Sequence, residues 1–247
     1  MQTTIHEIAE DVYRMSTLVA DAAPGGFTFN QFLIDADEPL LFHTGPRAIF
    51  PLVSEAVSKV IDIDSLRWIS FGHVESDECG AMNLWLDAAP NAEVVYNSLG
   101  CSVSLNDLAD RAPRAIDDGT RIDLGGRAVQ LHMTPHVPHG WEAQVLFEET
   151  TGTLLAGDLG AQVGAAPAIV HDIDIVSAAL AAEDMFGATC LTPSTAPTIR
   201  RLAALAPRTL AMMHGSSFAG DGAAVLEALA DAFAERLERA TAEVAVG

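Results

Sequence analysis

Lysine is almost missing from this 247-residue chain. Lys59 stands alone beside twelve arginines, against 34 aspartates and glutamates, and the formal net charge is −21. A surface so poor in cations repels phosphate backbones and anionic lipid headgroups, and nucleic-acid binding draws most of its affinity from cationic contacts to phosphate. Neither nucleic acid nor a membrane surface is therefore expected as a partner. Cysteine is scarce as well: Cys79, Cys101 and Cys190 are odd in number, far apart and free of any CxxC pair. That argues against a disulfide framework and a thiolate zinc site, and suits a reducing compartment. No apolar run approaches the eighteen residues of a membrane span, and the N-terminus has no basic segment followed by an apolar one. A soluble cytoplasmic protein is the expectation. Internal repeats, low-complexity tracts and Pro/Gly/Ser-rich linkers are also lacking, so the expectation is a single domain over 1–247, a length that α/β domains reach. The 49% hydrophobic fraction suffices for a sizeable core.

What is present is an alternation of element types. Short apolar runs bounded by turn residues predict strands over 11–16, 29–34, 39–42, 67–71, 92–96, 127–133, 144–148, 153–156 and 209–213. Apolar residues at three- and four-residue spacing predict helices over 48–60, 78–88, 104–110, 175–186, 196–205 and 221–240. Asp118-Gly119 and Gly125-Gly126 read as hairpin links. Asp221 reads as the N-cap of the last helix, whose stripe of Val225, Leu226, Leu229, Phe233 and Leu237 is core packing. Sheets inside and helices outside follow from this pattern, in an α/β layered protein.

The chemistry concentrates where strands end. The 67–71 strand runs into Gly72-His73-Val74-Glu75-Ser76-Asp77-Glu78, one imidazole and three carboxylates within six residues. Carboxylates so close repel one another when ionised, and a bound metal is the simplest neutraliser. The plainer reading is that Asp77 and Glu78 cap a helix N-terminus. Three further strand ends tip the balance: Thr134-Pro135-His136-Val137-Pro138-His139, then Gly157-Asp158, then His214-Gly215. Open α/β sheets gather ligand-contacting residues at the carboxyl ends of their strands.

The order His-x-Glu-x-Asp, a His after a Thr-Pro loop, Gly-Asp, and a His after an apolar strand resembles the metallo-β-lactamase superfamily. Within it the chain resembles the flavodiiron and oxygen-binding di-iron branch, in which Glu replaces the second His of the hydrolases' His-x-His-x-Asp-His, as Glu75 does here. Asp158 follows His139 by nineteen residues, which suits that branch and favours His139 over His136. Leu41-Phe42-His43-Thr44-Gly45 takes the place of the superfamily's Leu-Ile-Asp-Thr-Gly turn, and the resemblance covers nearly the whole chain. It implies a four-layer αββα sandwich, two mixed β-sheets flanked by helices. It implies one iron bound by His73, Glu75 and His139, a second by Asp77 and His214, and Asp158 bridging them. The branch usually has His directly after the motif Asp. Glu78 stands there instead, so the second iron either gains a carboxylate or keeps an open position. The family's C-terminal flavodoxin domain is also lacking, so no FMN is expected in this chain.

The implied function is a non-haem di-iron protein that binds and reduces O2 or NO with electrons from an external electron-transfer protein. The resemblance also implies a homodimer. Two other classes stay open: a non-catalytic oxygen or redox sensor, and a binuclear zinc hydrolase of ester, thioester, lactone or phosphodiester bonds acting through metal-bound hydroxide. Imidazole and carboxylate donors without thiolate suit Fe, Mn or Zn. The four negative charges of Glu75, Asp77, Glu78 and Asp158 match two divalent cations and favour iron. His43, His136 and Trp141 are candidates for supporting positions around the ligands, and Phe27 for the pocket wall. His6, His132 and His171 read as ordinary surface or strand histidines, and Cys79 as inert packing.

Overall fold

The computed structural model describes residues 1–172 and 174–246. Two seven-stranded sheets pack face to face. The first has the order β1 (Thr3–Ala9), β2 (Val12–Val19), β3 (Phe27–Ile34), β4 (Leu40–Phe42), β5 (Trp68–Ser70), β6 (Glu93–Asn97) and β7 (Arg114–Ile116). It is an antiparallel meander up to β4 and parallel from there on. The second contains β8 (Arg121–Asp123), β9 (Ala128–Met133), β10 (Gln144–Glu148), β11 (Thr153–Gly157), β12 (Ile169–Val170), β13 (Thr209–Met212) and β14 (Ser217–Ala219). Its order is β12-β14-β13-β11-β10-β9-β8.

The period of two along each strand builds three apolar layers. Phe32, Ile34, Leu40 and Phe42 face Leu131, Leu146, Leu155 and Ala211 between the sheets. The alternate residues Leu33, Leu41 and Ile69 face the outer helices Phe50–Val57 and Met82–Ala88. On the far side Val145, Leu154, Leu210 and Met212 pack against the helices Ile175–Phe186, Thr195–Ala203 and Gly222–Val246. This is the expected αββα order. Among the described residues no helix is long and apolar enough to cross a membrane.

Several expectations need correction. The helix expected over 78–88 is two pieces, Ser76–Cys79 and Met82–Ala88, because the Ala81 N–H leaves the helical ladder and donates to the Gly45 carbonyl. Asp118-Gly119 is no hairpin: it carries the chain from β7 in one sheet to β8 in the other, whereas Gly125-Gly126 does close the β8–β9 hairpin. The 104–110 segment belongs to a longer helical stretch over 98–108 with a π-helical middle, Cys101–Leu105. Strands β1, β7, β8, β12 and β14 went unread. Most are three residues or shorter or, like Thr3–Ala9, lie at a sheet edge where polar side chains dilute the pattern.

Candidate metal centre

Four strand ends converge at one rim of the sandwich. His73 leaves β5, His139 sits on the loop from β9 to β10, Asp158 follows β11 and His214 follows β13. Polar side chains lock these loops to one another. Gln144 donates its backbone N–H to the Gly72 carbonyl (2.8 Å) and its Nε2–H to the Phe71 carbonyl (3.2 Å). Glu142, buried, accepts the Val74 N–H at 3.0 Å, and Asn97 donates to the Glu142 carbonyl at 2.7 Å. The two metal-motif loops are thus stitched together before any ligand binds.

His73 Nε2 lies 2.8 Å from Glu75 Oε2, 2.9 Å from His139 Nε2 and 3.9 Å from Asp158 Oδ2. His139 Nε2 is also 3.3 Å from Glu75 Oε2 and 3.5 Å from Asp158 Oδ2. The donor atoms of His73, Glu75, His139 and Asp158 all fall within 4.8 Å of one another. A second, more open group shares Asp158: His214 Nε2 lies 3.3 Å from Asp158 Oδ1 and 3.3 Å from Asp77 Oδ2. One imidazole nitrogen can offer one proton, yet His73 Nε2 faces three acceptor-capable atoms. Ligand bonds of about 2.1 Å place neighbouring donor atoms roughly 3.0–3.4 Å apart, the spacing seen here, so an ion satisfies all of them where a proton satisfies one pair. Asp77 Oδ1, Asp158 Oδ1 and His139 Nδ1 are buried and without a hydrogen-bond partner. These residues fit a bound metal pair.

The electrostatics agree. Burial alone would lower His73, but Glu78, Glu75 and Asp158 overcome it and push it up to about 12. Burial is likewise outweighed at His214, where Asp158 and Asp77 push it up to about 10. His139 is raised through its contact with Glu75. His139 and His73 hold Glu75 far below the usual carboxylate range, and His214 lowers Asp158 against the effect of burial. The pocket demands positive charge, and without metal only protons can supply it.

The supporting residues separate clearly. His214 Nδ1 lies 2.7 Å from the Thr28 carbonyl, and Phe27 stacks on the His214 ring at 4.0 Å between centroids. Asn30 and the buried Arg14 both donate to the Gly215 carbonyl. Arg14, Thr28, Asn30 and Glu142 escaped sequence reading; for the first three the available signal was polar residues in the inward-facing register of apolar strands, whereas Glu142 lies in the loop before β10. Gly215 has φ +87° and lies so close to Gln162 Cβ that an added Cβ would meet it at 2.7 Å. Among the expected supporting residues His43 is fully buried, with Nδ1 3.2 Å from the Asn30 carbonyl and Nε2 3.5 Å from Glu78 Oε1. Two others are corrected. His136 is exposed and Trp141 is 54% exposed; neither side chain reaches the cluster, because the turn closed by the His136 N–H on the Gly140 carbonyl carries both outward. Glu78, expected among the ligands, stands on the Nδ1 side of His73, opposite the Nε2 that meets the other donors.

A cavity of about 370 Å³ opens onto the cluster. Phe27, Leu159, Phe186, Leu229 and Phe233 line it, with Glu75, Asp77, His139, Asp158 and His214 at its floor.

Residues 27–215 match the model of a family described as ODP family beta lactamase. The chain is 22% identical over 206 residues to the rubredoxin-oxygen oxidoreductase of Megalodesulfovibrio gigas, which covers 80% of this chain and 51% of that protein. It is 27% identical over 140 residues to a protein named for a diflavin flavoprotein in Nostoc sp., covering 54% of this chain and 23% of the relative. The chain thus spans about half or less of the length of these relatives. In solved structures the fold is similar to rubredoxin oxygen:oxidoreductase from Desulfovibrio gigas, with TM-score 0.80 and 18% identity over 95% of this chain and 62% of that one. A metal-soaked flavodiiron core from Synechocystis sp. gives TM-score 0.77 and 21% identity, over 94% and 60%. A fragment of a diflavin flavoprotein from Nostoc sp. gives 0.78 and 16%, over 98% of each chain.

Proposed function

The chain belongs to the family described as ODP family beta lactamase, and from that premise we propose that it is a non-haem di-iron oxidoreductase that binds and reduces O2 or NO. The observation that carries the reading is Asp158. Its two oxygens reach two separate donor groups, Oδ2 toward His73 and His139 and Oδ1 toward His214, the arrangement a bridged pair of ions requires. His73, Glu75, His139 and Asp158 would hold one ion, and Asp77, His214 and Asp158 the other. Two iron ions held there would supply one-electron redox chemistry on a small diatomic ligand, which zinc cannot.

The chain's own residues do the rest. Glu75, Asp77 and Asp158 carry negative charge into the site and keep its total near neutrality. Phe27 covers His214 and, with Leu159, Phe186 and Leu229, makes an apolar approach that suits an uncharged gas and disfavours an anionic substrate. The carboxylate of Glu75, with its side chain 53% exposed, stands at the open edge where protons can enter. Electrons come from a separate protein donor, and the charge of −21 favours one with a basic docking face.

Metal analysis of protein expressed with iron, then anaerobic reduction and admission of O2, tests the reading. The expected result is two iron ions per chain and visible absorption that depends on oxygen, with steady oxygen consumption once a reductase and reductant are supplied. Stoichiometric zinc with esterase or lactonase activity would overturn it. Reversible oxygen binding without consumption would reassign the protein as a sensor.

A further inference from the structure

We propose that Glu78 is a positioning residue, whose buried carboxylate accepts the Nδ1–H of His73 and so turns the Nε2 lone pair of that ring toward Glu75, His139 and Asp158. The inference rests on the two-metal reading above and concerns a residue outside both donor groups. Its first support is the double hold on one residue. Glu78 Oε2 accepts the backbone N–H of His73 at 2.7 Å, and Oε1 lies 3.3 Å from Nδ1 of the same ring. One carboxylate therefore holds the His73 main chain and sets its other oxygen, buried and without any other hydrogen-bond partner, against Nδ1 of the same ring.

The second support is the space built around it. A Cβ on Gly72 would stand 2.9 Å from Glu78 Oε2 and 3.0 Å from Oε1, and one on Gly157 would stand 3.4 Å from Oε1. Gly72, just past the end of β5, thus leaves the gap that the carboxylate fills, and Gly157 at the end of β11 borders it. The third is its anchoring: the Glu78 carbonyl accepts from the Thr44 backbone N–H at 2.7 Å and from Thr44 Oγ1 at 3.1 Å, which fixes the main chain from which the carboxylate reaches His73. Glu78 is wholly buried, and its nitrogen neighbours are those of His73 and His43. A buried carboxylate persists only where donors meet it. Metal-bound imidazoles commonly donate their second N–H to a carboxylate, which orients the ring and makes it a stronger ligand.

Glutamine is the informative replacement. Its amide offers one acceptor and one donor where the carboxylate offers two acceptors, so Glu78→Gln leaves either the His73 main chain or Nδ1 facing an N–H; Glu78→Ala removes both contacts. Wild type and both variants, as full chains, are titrated with Co(II) and examined by proton NMR with nitrogen-labelled histidine. In the wild type the Nδ1–H of His73 gives a hyperfine-shifted signal protected from solvent exchange. Both variants reach two ions per chain at saturation, bind the ion at His73 about 10–100-fold more weakly, and lose that protected signal. A variant that saturates at one ion makes Glu78 a ligand and overturns the proposal, as does unchanged affinity with the signal intact. If neither variant folds, the wild-type signal decides: its absence overturns the proposal. A wild type that takes up fewer than two ions overturns the two-metal reading itself.

Discussion

Asp158 is the residue on which the two donor groups depend, since each of its oxygens faces a different imidazole set. Substitution at a shared ligand and at an unshared one should therefore differ in kind. Asp158→Ala is expected to lower metal content from two ions per chain to less than one, whereas His214→Ala leaves about one, held by His73, Glu75 and His139. Metal analysis after equilibrium dialysis reads both. All the side chains of these two groups were legible in sequence, because a metal-binding loop advertises itself by imidazoles and carboxylates too close together to be comfortable without a cation. Their division of labour was less legible. His43 and Glu78 have the same chemistry as ligands, yet Glu78 stands on the Nδ1 side of His73 and His43 meets Glu78 rather than the cluster. His136 and His139 lie three residues apart on one loop, and only the turn between them decides which reaches the cluster.

At the scale of elements, the site is held by turns that leave strands at sharp angles. After β13 the chain passes His214 into Gly215, whose positive φ no other residue adopts comfortably and whose carbonyl collects Arg14 and Asn30. Gly215→Ala adds a methyl 2.7 Å from Gln162 Cβ as well as backbone strain, at a cost of about 1–3 kcal/mol. The expected outcome is a melting temperature lower by several degrees, with the ion at His214 bound more weakly than the ion at His73; calorimetry and a metal titration separate the two effects. The strands that were readable are the buried ones, such as Leu40–Phe42 and Thr153–Gly157, where apolar runs end at turn residues. Short edge strands such as Arg114–Ile116 and Ile169–Val170 were not, because they are defined by the neighbour they pair with rather than by their own composition. The break at Gly80-Ala81 is similar: it is set by a bond to Gly45, a residue 36 positions earlier.

For the molecule as a whole, the site is a staple between two sheets, since His73 follows a strand of the first and His139, Asp158 and His214 follow strands of the second. Stability should respond to metal and pH together. In the metal-free protein His73 and His214 are raised from 6.5 to about 12 and about 10, so their stabilising effect is complete below about pH 6.5 and is lost as pH rises through those values. Glu75 and Asp158 are lowered, so their effect is complete above their ordinary range, 4.5 and 3.8, and is lost in acid. The melting temperature of chelator-treated protein is therefore expected to peak between about pH 4.5 and 6.5. Metal displaces those protons, so loading should move the optimum to higher pH. At a free metal concentration of a hundred times Kd it should add about 2.7 kcal/mol, several degrees at this size. Calorimetry across pH, with and without metal, checks the sign; a metal-free optimum above pH 8 would count against it.

The sequence alone determined the chemistry on offer: the donor types, their order along the chain and the strand ends that carry them, because these follow from residue identity and from periodicities of two and 3.6. It also determined the charge of −21, which argues against polyanions and, with its carboxylates drawn inward, points to cations. Tertiary structure alone decided which nitrogen of each imidazole meets the cluster and which carboxylate stands on the Nδ1 side of His73. Those outcomes depend on distances of a few ångströms between residues tens of positions apart, set by how two sheets pack, and no local pattern encodes them.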